Sequence, residues 1–314
     1  MPDQPALRKA IVLGTAMWGW TLDEAACFDI LDTFYGLGFR QIDAATNYPI
    51  NKKAEDFRKA EKILAEWIKR RGVTDLRVFM KVGSVNNMRS PDHNLTKSFL
   101  LLALDQYQNL LGSNLDTIMV HWDNRSEGDE IEKTFEAFAH MHQLGLQLGL
   151  SGIRHPEIYA SLNNKYQFPF SIQFKNNLLQ SDYARYAAFH GNSNFYAYGI
   201  NAGGLKLPSE GYPQNSTLSS RGGEHLADHP ILGQIEVLLN IVNKDKGRPE
   251  ISQFSQCAAI YSWYNSGIKG ILLGVSNKVQ LLNNLHFFKQ LEEVSYEDLY
   301  RQLLTLVVNT QTAD

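Results

Sequence analysis

The sequence predicts a single-domain (β/α)8 barrel, a TIM barrel, over residues 1–314, and three observations favour this fold class. Eight short apolar segments, each bounded by glycine or polar residues, have the length and composition of buried parallel strands. Longer segments with apolar residues at helical spacing alternate with them, which is typical of a parallel sheet covered by helices. No linker or internal repeat divides the chain, and 314 residues is an ordinary length for one such barrel.

The predicted strands begin with KAIVLG and end with IKGILLGV. Each is five to eight residues long, and together they cover residues 9–14, 39–43, 77–82, 115–122, 146–153, 170–174, 195–200 and 268–275. Parallel strands buried on both faces are near-continuous apolar runs of this kind.

The helices between the strands are predicted from residues that are typical of helix ends. Helix 22–38 opens with acidic residues and closes at glycines, and helix 54–72 finishes with a basic turn before Gly72. Helices are also predicted over 94–112, 131–145, 249–267 and 295–310. The long irregular segment 203–230 follows the seventh strand, so we expect it on the C-terminal face of the barrel as a cofactor or substrate loop.

Composition excludes several classes of protein. A net charge of −3 gives no drive toward nucleic acid or an anionic membrane, and no run approaches the length of a membrane span. The two cysteines, Cys27 and Cys257, have no metal-ligand spacing and are interpreted as reduced core residues. With no secretory signal, a cytoplasmic location is expected. No metal, nucleic-acid or membrane partner is predicted. The sequence gives no prediction of the oligomeric state.

Four polar residues lie at or just beyond the ends of three successive strands: Asp43, Tyr48, Lys81 and His121. Each alone has a structural interpretation, as a turn cap, a rim contact, a snorkelling lysine or a hydrogen-bonded histidine. Because the carboxyl ends of barrel strands meet at one mouth, we expect the four to lie together there.

Their chemistry suits carbonyl reduction. Asp43 and Lys81 are expected to pair, and the ammonium is expected to lower the pKa of Tyr48 from its usual value of about 10. Tyr48 would then donate a proton to an aldehyde or ketone oxygen, while a neutral His121 orients the same oxygen. None of these residues supplies a hydride, so a cofactor must.

At this point the sequence resembles the aldo-keto reductase superfamily, over roughly residues 10–290. GFRQIDAATNY is similar to the family's Asp–Tyr block, with Ala44 in place of threonine, and VFMKVG and IMVHWD are similar to its Lys and His strands. LGTAMWG is similar to its first-strand motif, which carries Thr15. The resemblance implies that Asp43, Tyr48, Lys81 and His121 form a catalytic tetrad with Tyr48 as general acid.

The resemblance also implies a nicotinamide cofactor bound without a Rossmann fold, and no GxGxxG follows a strand here. Ser151 and Gln173 would hold the carboxamide, but Gly152 stands where the family has asparagine. Tyr198 would stack on the nicotinamide, and Asn283 replaces a usual glutamate at the adenosine end. The implied cofactor residues are Thr15, Ser151, Gln173, Tyr198, Gly199, Asn201, Arg221, Gly274, Ser276, Lys278, Gln280 and Asn284.

NADP is the expected cofactor, and NAD stays an alternative. NADP-preferring members often place cations around the 2′-phosphate, where this chain has Gly274 and Gln280. Lys278 and Arg221 are expected to compensate. Residues expected around the substrate are Trp18, Trp20, Trp122, Asn124 and Met88, a set that suits a sugar-like carbonyl compound, although the tryptophans alone could simply exclude water.

Two other functions stay open. One is an NAD-dependent aldose dehydrogenase that runs the reaction in the opposite direction. The other belongs to a different class, a cofactor-binding regulatory subunit, against which the full tetrad argues. Hydrolysis by Ser151 and His121 is disfavoured because no Gly-x-Ser-x-Gly elbow is present.

Overall fold

The computed structural model describes residues 7–90, 92–212, 217–244 and 247–311, with the backbone alone for the last three. Eight parallel strands close into a barrel in sequence order, β1 to β8, which confirms the predicted fold class. The strands are β1 (Ala10–Gly14), β2 (Gln41–Ala45), β3 (Arg77–Val82), β4 (Leu115–His121), β5 (Gln147–Ser151), β6 (Phe170–Lys175), β7 (Asn194–Tyr198) and β8 (Gly270–Leu273).

Helices surround the barrel: α1 (Glu24–Gly36), α2 (Lys59–Arg71), α3 (Lys97–Leu111), α4 (Gly128–Gln143), α5 (Pro156–Tyr166), α6 (Thr217–Ser220), α7 (Pro230–Val242), α8 (Phe254–Trp263), α9 (Lys278–Glu293) and α10 (Glu297–Gln311). Their ends follow local chemistry. Asp23 accepts a hydrogen bond from the Ala26 backbone N–H at the start of α1, and Asn277 does the same for Gln280 at the start of α9. Gly72 ends α2 in the left-handed conformation.

Several predicted bounds were wrong. No α-helix follows β6; the connection contains only a 3₁₀ segment, Tyr183–Phe189, so the strand–helix alternation is broken there. The helix predicted over 249–267 begins at Phe254, where Gln253 and Gln256 form a reciprocal cap. The helix predicted over 54–72 begins with a 3₁₀ turn and becomes α-helical at Lys59.

The segment predicted to follow β7 does so, and it contains the short helix α6 and a 3₁₀ turn, Glu224–Leu226. Its residues 213–216 lie outside the described residues, as do the chain ends 1–6 and 312–314 of the predicted domain. Within the described residues, no helix is both long and apolar enough to cross a bilayer.

The inside of the barrel is apolar at its floor and polar at its mouth. The floor is a separate cluster of buried side chains: Val12, Phe79, Met119, Tyr196 and Leu272. Side chains two residues apart on a strand point to the same side, so the next inward layer, closer to the mouth, is Gly14, Lys81, His121, Tyr198 and Gly274. The larger core lies between the strands and the surrounding helices.

Both cysteines are buried, without a disulfide, in this outer core. Burial raises the pKa of each thiol to about 12. Because the thiolate is the reactive form, we expect neither thiol to react with DTNB in the native protein at pH 8. Both should react after unfolding in guanidinium; rapid labelling of the native protein would contradict the burial of Cys27 and Cys257.

Candidate active site

The mouth of the barrel brings three of the four predicted tetrad residues together at strand ends, and the fourth just above them. Lys81 Nζ lies 2.5 Å from Asp43 Oδ1, and both side chains are almost fully buried, at 1% and 2% exposure. The register of β2 against β3 pairs Asp43 with Phe79, and Lys81 follows Phe79 by two residues, so the Asp43 and Lys81 side chains lie on the same side of the sheet. The ammonium lies 4.8 Å from the ring centroid of Tyr48.

The turn after β2 positions Tyr48. Its backbone N–H donates to the Ala45 carbonyl at 3.2 Å, and its carbonyl accepts from the Ala60 N–H of α2 at 3.3 Å. The ring, half-buried, therefore stands over the strand ends rather than on the outer rim. The His121 ring lies perpendicular to it, with centroids 6.2 Å apart.

Burial governs the protonation of these groups. Burial and the neighbouring Lys81 ammonium hold the pKa of His121 well below its usual range, so the ring is neutral at physiological pH, as predicted. His121 Nδ1 has no hydrogen-bond partner among the described residues. A neutral imidazole carries one N–H, and on Nδ1 that donor would be buried without an acceptor. We therefore place the proton on Nε2, from which it can be donated to a ligand oxygen.

The prediction that Lys81 lowers the pKa of Tyr48 below its usual value was wrong, because the pKa is raised. Burial of the phenol raises the pKa of Tyr48, and the attraction of Lys81 offsets this only in part. Burial is the largest influence on the Lys81 ammonium and disfavours it, but the charges and hydrogen bonds of Asp43 and Tyr48 together outweigh burial and raise the pKa of Lys81. Tyr48 is consequently a protonated phenol throughout the neutral range, which is the form that can donate a proton.

These groups open on a cavity of about 220 Å³. Its polar lining includes Asp43, Tyr48, His121, Ser151, Gln173, Tyr198 and Arg221, and its apolar lining includes Ala16, Met17, Trp18, Ile50, Trp122 and Leu272. A cavity with apolar walls and a few convergent polar groups is the usual form of a small-molecule site. We call it the catalytic cavity below.

Gln173 lines the catalytic cavity and makes a contact that the sequence did not predict. Its Nε2 donates to Asp43 Oδ1 at 2.7 Å, so in this structure the amide supports the tetrad carboxylate. Ser151 lies beside it, since the register pairs Ser151 with Gln173 across β5 and β6 and with His121 across β4 and β5. The three side chains therefore follow one another around the mouth.

The replacement of asparagine by Gly152 has a steric cause. A Cβ atom on Gly152 would lie 2.6 Å from Trp122 Cδ1, and Gly152 also has a positive φ of 69°. The Trp122 indole thus occupies the space that an asparagine side chain would need. Trp122 itself packs against His121, with ring centroids 4.8 Å apart.

The residues predicted for the adenosine end lie around the start of α9. The Ser276 backbone N–H donates to Gln280 Oε1 at 2.7 Å, and Thr217 from the 203–230 segment reaches the Ser276 hydroxyl at 3.4 Å. Lys278 forms an exposed ion pair with Asp29 of α1 at 3.2 Å. Asn201 and Asn284 line a neighbouring cleft of about 230 Å³ with Asn283.

Arg221 lies at the catalytic cavity, whose walls also include Tyr48 and His121 of the tetrad. It lines the catalytic cavity with Tyr48, and also a groove of about 630 Å³ with Gly199 and Gly203. Burial lowers the pKa of Arg221, and its Nε has no hydrogen-bond partner among the described residues. A buried, unpaired guanidinium nitrogen is costly, which indicates that an anionic ligand group completes this site.

The other predicted binding residues are dispersed. Thr15 is fully buried, and its hydroxyl donates to the Asp43 carbonyl at 2.9 Å, so it ties β1 to β2. Trp18 lines the catalytic cavity, whereas Trp20 lies under the Arg89 guanidinium at 5.9 Å. Asn124 is on the far side of Trp122, and Met88 is 46% exposed.

Sequence reasoning missed a buried network behind the tetrad. Thr46 Oγ1 donates to the Lys81 carbonyl at 3.1 Å and meets the Tyr107 hydroxyl at 3.2 Å; Tyr107 in turn donates to Glu61 at 2.6 Å. Glu61 is 1% exposed and is paired with Arg58. The signal was present, because Glu61 is a charged residue on the same face of α2 as the apolar residues Leu64 and Ile68.

The residues around the mouth fit a nicotinamide dinucleotide. Besides Arg221 Nε in the catalytic cavity, the buried Asn201 Oδ1 in the neighbouring cleft lacks a hydrogen-bond partner among the described residues. A bound ligand could supply a partner to both atoms. Gly199, Gly203 and Gly204 all have positive φ, and their backbone can approach phosphate groups closely because it carries no side chains.

Comparison with known proteins agrees with this geometry. The family model described as "Aldo/keto reductase family" matches residues 10–300, which span every strand of the barrel and all four tetrad residues. A search of curated proteins found no match. Members of the matched family are oxidoreductases that act on carbonyl and CH–OH groups, generally with NAD(P)H. The chain, with its eight-stranded barrel and a Lys–Asp pair beneath a tyrosine at the mouth, therefore belongs to the aldo/keto reductase family.

Proposed function

We propose that this enzyme reduces an aldehyde or ketone to the alcohol with NADPH, and that Tyr48 donates the proton. The observation that carries the proposal is the buried Lys81–Asp43 pair beneath the Tyr48 ring, with a neutral His121 on the same cavity. Bound NADPH would supply the hydride. The chain's own residues then have to orient the carbonyl and deliver one proton.

Each residue has a distinct task in this scheme. Tyr48 gives its phenolic proton to the carbonyl oxygen as that oxygen gains negative charge. The Lys81 ammonium stabilises the phenolate that is left behind, and Asp43 keeps the ammonium charged in its buried position. His121 donates a hydrogen bond from Nε2 to the same oxygen and fixes its position. The apolar walls from Trp18, Trp122 and Ile50 exclude water from the reaction.

Cofactor binding is assigned to the residues along the mouth. Ser151 and Gln173 are proposed to bind the carboxamide, and Tyr198 to stack on the nicotinamide. Gly199, Asn201 and Arg221 would meet the phosphates, and Gly274, Ser276, Gln280 and Asn284 the adenosine end. Thr15 would act indirectly, through the Asp43 carbonyl.

NADP preference is proposed to depend on Lys278. It is the first residue of α9, beside Ser276 and Gln280, and its ion pair with Asp29 is exposed on both sides. Such pairs are worth little in water, so the ammonium can exchange Asp29 for a 2′-phosphate at small cost.

The cofactor preference can be tested by substitution at this position. We expect Lys278→Gln to raise the KM for NADPH by about tenfold, because one charge-assisted contact is lost, while the KM for NADH changes by less than about twofold. Asp29→Asn is the matched control, since it frees the ammonium without removing it. Equal effects on both cofactors, or a wild-type enzyme that prefers NADH, would contradict the assignment.

The function itself is tested by NADPH consumption at 340 nm with 4-nitrobenzaldehyde and with aldoses and ketoses. We expect turnover that depends on both NADPH and the carbonyl compound. Oxidation of aldoses by NAD faster than any carbonyl reduction would instead favour the dehydrogenase. Tight cofactor binding without turnover of any carbonyl compound would favour a regulatory subunit.

A further inference from the structure

A second concavity adjoins the catalytic cavity on the other side of Trp122. We call it the rim cavity; its volume is about 250 Å³, and it is lined by Arg89, Ser90, Trp122, Asp123, Asn124, Gly152 and Arg154. Trp122 is a wall of both spaces. A ligand that lies along the indole can therefore have one end at Tyr48 and His121 and the other in the rim cavity.

The rim cavity carries an excess of positive charge. The carboxylate of Asp123 is committed to its neighbours: Arg125 donates to it at 2.9 Å and Tyr159 at 2.6 Å, while His93 lies 3.4 Å away. Asp92, which accepts a hydrogen bond from Ser90 at 2.8 Å, is a second carboxylate on this side. Two further cationic residues, Arg89 and Arg154, line the cavity.

Both arginines are held in place, Arg154 by its backbone and Arg89 by its guanidinium. The Arg154 backbone N–H donates to the Asp123 carbonyl at 2.8 Å, which fixes the residue beside the loop that follows β4. Its side chain forms no hydrogen bond or ion pair with any residue in the described part of the chain. Arg89 Nε donates to the Ile50 carbonyl at 2.8 Å and Nη1 to the Arg221 carbonyl at 3.3 Å, and the guanidinium lies over Trp20, so Arg154 has the freer guanidinium of the two.

The absence of a side chain at Gly152 makes the two spaces adjacent. The Trp122 indole, which lines both cavities, lies against Gly152, and Gly152 contributes no side chain on the rim-cavity side of the indole. Arg154 comes only three residues after Ser151, whose side chain lines the catalytic cavity. The two arginines therefore line a cavity that adjoins the catalytic cavity across the Trp122 indole.

We infer that the carbonyl substrate is anionic: it carries a carboxylate or phosphate that binds Arg154, assisted by Arg89, in the rim cavity. A guanidinium binds either group through two parallel hydrogen bonds, which gives orientation as well as affinity. A sugar acid or a sugar phosphate combines this charge with the hydroxyl groups that suit Asn124. The inference rests on the proposed carbonyl reduction and names the substrate class for it.

The test compares two aldehydes of nearly equal shape, 4-carboxybenzaldehyde and its neutral methyl ester, methyl 4-formylbenzoate. We expect the wild-type enzyme to prefer the acid in kcat/KM by about tenfold to a hundredfold, the range of one charge-assisted contact. Arg154→Gln should abolish most of this preference, Arg154→Lys should restore part of it, and added salt should weaken it. Glucuronate and glucose 6-phosphate, each against glucose, then distinguish carboxylate from phosphate.

Arg301→Gln is the matched control, since Arg301 is an exposed arginine of α10 paired with Glu297. It should leave the acid-to-ester ratio at the wild-type value. A wild-type enzyme that turns over both aldehydes with no preference, or an Arg154→Gln variant that keeps the full preference, overturns the inference but leaves the proposed function intact.

Binding without turnover separates the two proposals further. The affinity for 4-(hydroxymethyl)benzoate, the expected product, is measured by isothermal titration calorimetry in wild type and in Arg154→Gln. If neither aldehyde reacts but the product binds through Arg154, the anion site stands and the proposed reduction fails. If the product binds equally to both proteins, the anion site is refuted whatever the activity.

Discussion

Replacing Tyr48 with phenylalanine is expected to lower kcat for carbonyl reduction by about 10²–10⁴-fold, the usual contribution of a positioned general acid. The variant loses one hydroxyl group and keeps the ring that stands over Lys81 and beside His121. Cofactor affinity should therefore stay within a few-fold of wild type. Steady-state kinetics give the first quantity, and titration of the intrinsic tryptophan fluorescence with NADPH gives the second.

A tyrosine outside the site provides the comparison. Tyr166 ends α5, and among the described residues its hydroxyl has a single hydrogen-bond partner, Glu132 at 3.5 Å. Tyr166→Phe should keep wild-type kcat. If Tyr48→Phe retains most of its activity, another group donates the proton and the assignment of Tyr48 is wrong.

Replacing Lys81 with methionine is expected to remove activity and to destabilise the protein by about 3–5 kcal/mol. The loss of stability follows because the Asp43 carboxylate, which is almost fully buried, is left without its ammonium partner. The loss of activity follows because the Tyr48 phenolate is no longer stabilised. Urea unfolding at pH 7.5 and NADPH consumption measure the two effects.

The pH of that measurement matters, since the pKa of Lys81 is raised in the folded protein above its ordinary 10.5. The stabilisation from this group is complete below pH 10.5 and is lost only as the pH rises through the higher folded value. At pH 7.5 the whole effect is therefore observed.

A double variant separates stability from catalysis. Asp43→Asn with Lys81→Met removes both charges, so it should regain much of the lost stability and remain inactive. Recovery of activity in the double variant would show that the ammonium is not needed by Tyr48. In any residually active Lys81 variant, the pKa of Tyr48 should rise further, and the alkaline limb of the pH–rate profile should move upward; an unchanged profile would count against this coupling.

Much of the fold was accessible from the sequence because it depends on local pattern. Eight apolar runs of strand length, separated by amphipathic helices, are compatible with few architectures, and a closed parallel barrel satisfies all of them. The pattern failed where helical periodicity is weak: after β6, where a 3₁₀ segment stands in place of a helix, and before Phe254, where the reciprocal cap sets the start of α8.

The tetrad was also predictable, because a polar residue at the end of an apolar strand is conspicuous and barrel strands end at one mouth. The binding residues were less so. The hydrogen bond from Gln173 to Asp43 and the ion pair of Lys278 with Asp29 were not predicted, and the ligand roles of Gln173 and Lys278 stay predictions. Which partner a long polar side chain takes depends on neighbours that are far away in the chain.

By itself, the sequence determined the barrel, the four residues at its mouth and the membership of the aldo/keto reductase family. Only the tertiary structure decided the net sign of the Tyr48 pKa, since the degree of burial outweighs the pairwise effect of Lys81. Only the structure explained the glycine at position 152, where any larger residue would collide with Trp122. Only the structure showed that Arg89 and Arg154 line one cavity. The physical reason is common to all three: desolvation, steric exclusion and the summed charge around a cavity depend on distances between loops that no local pattern encodes.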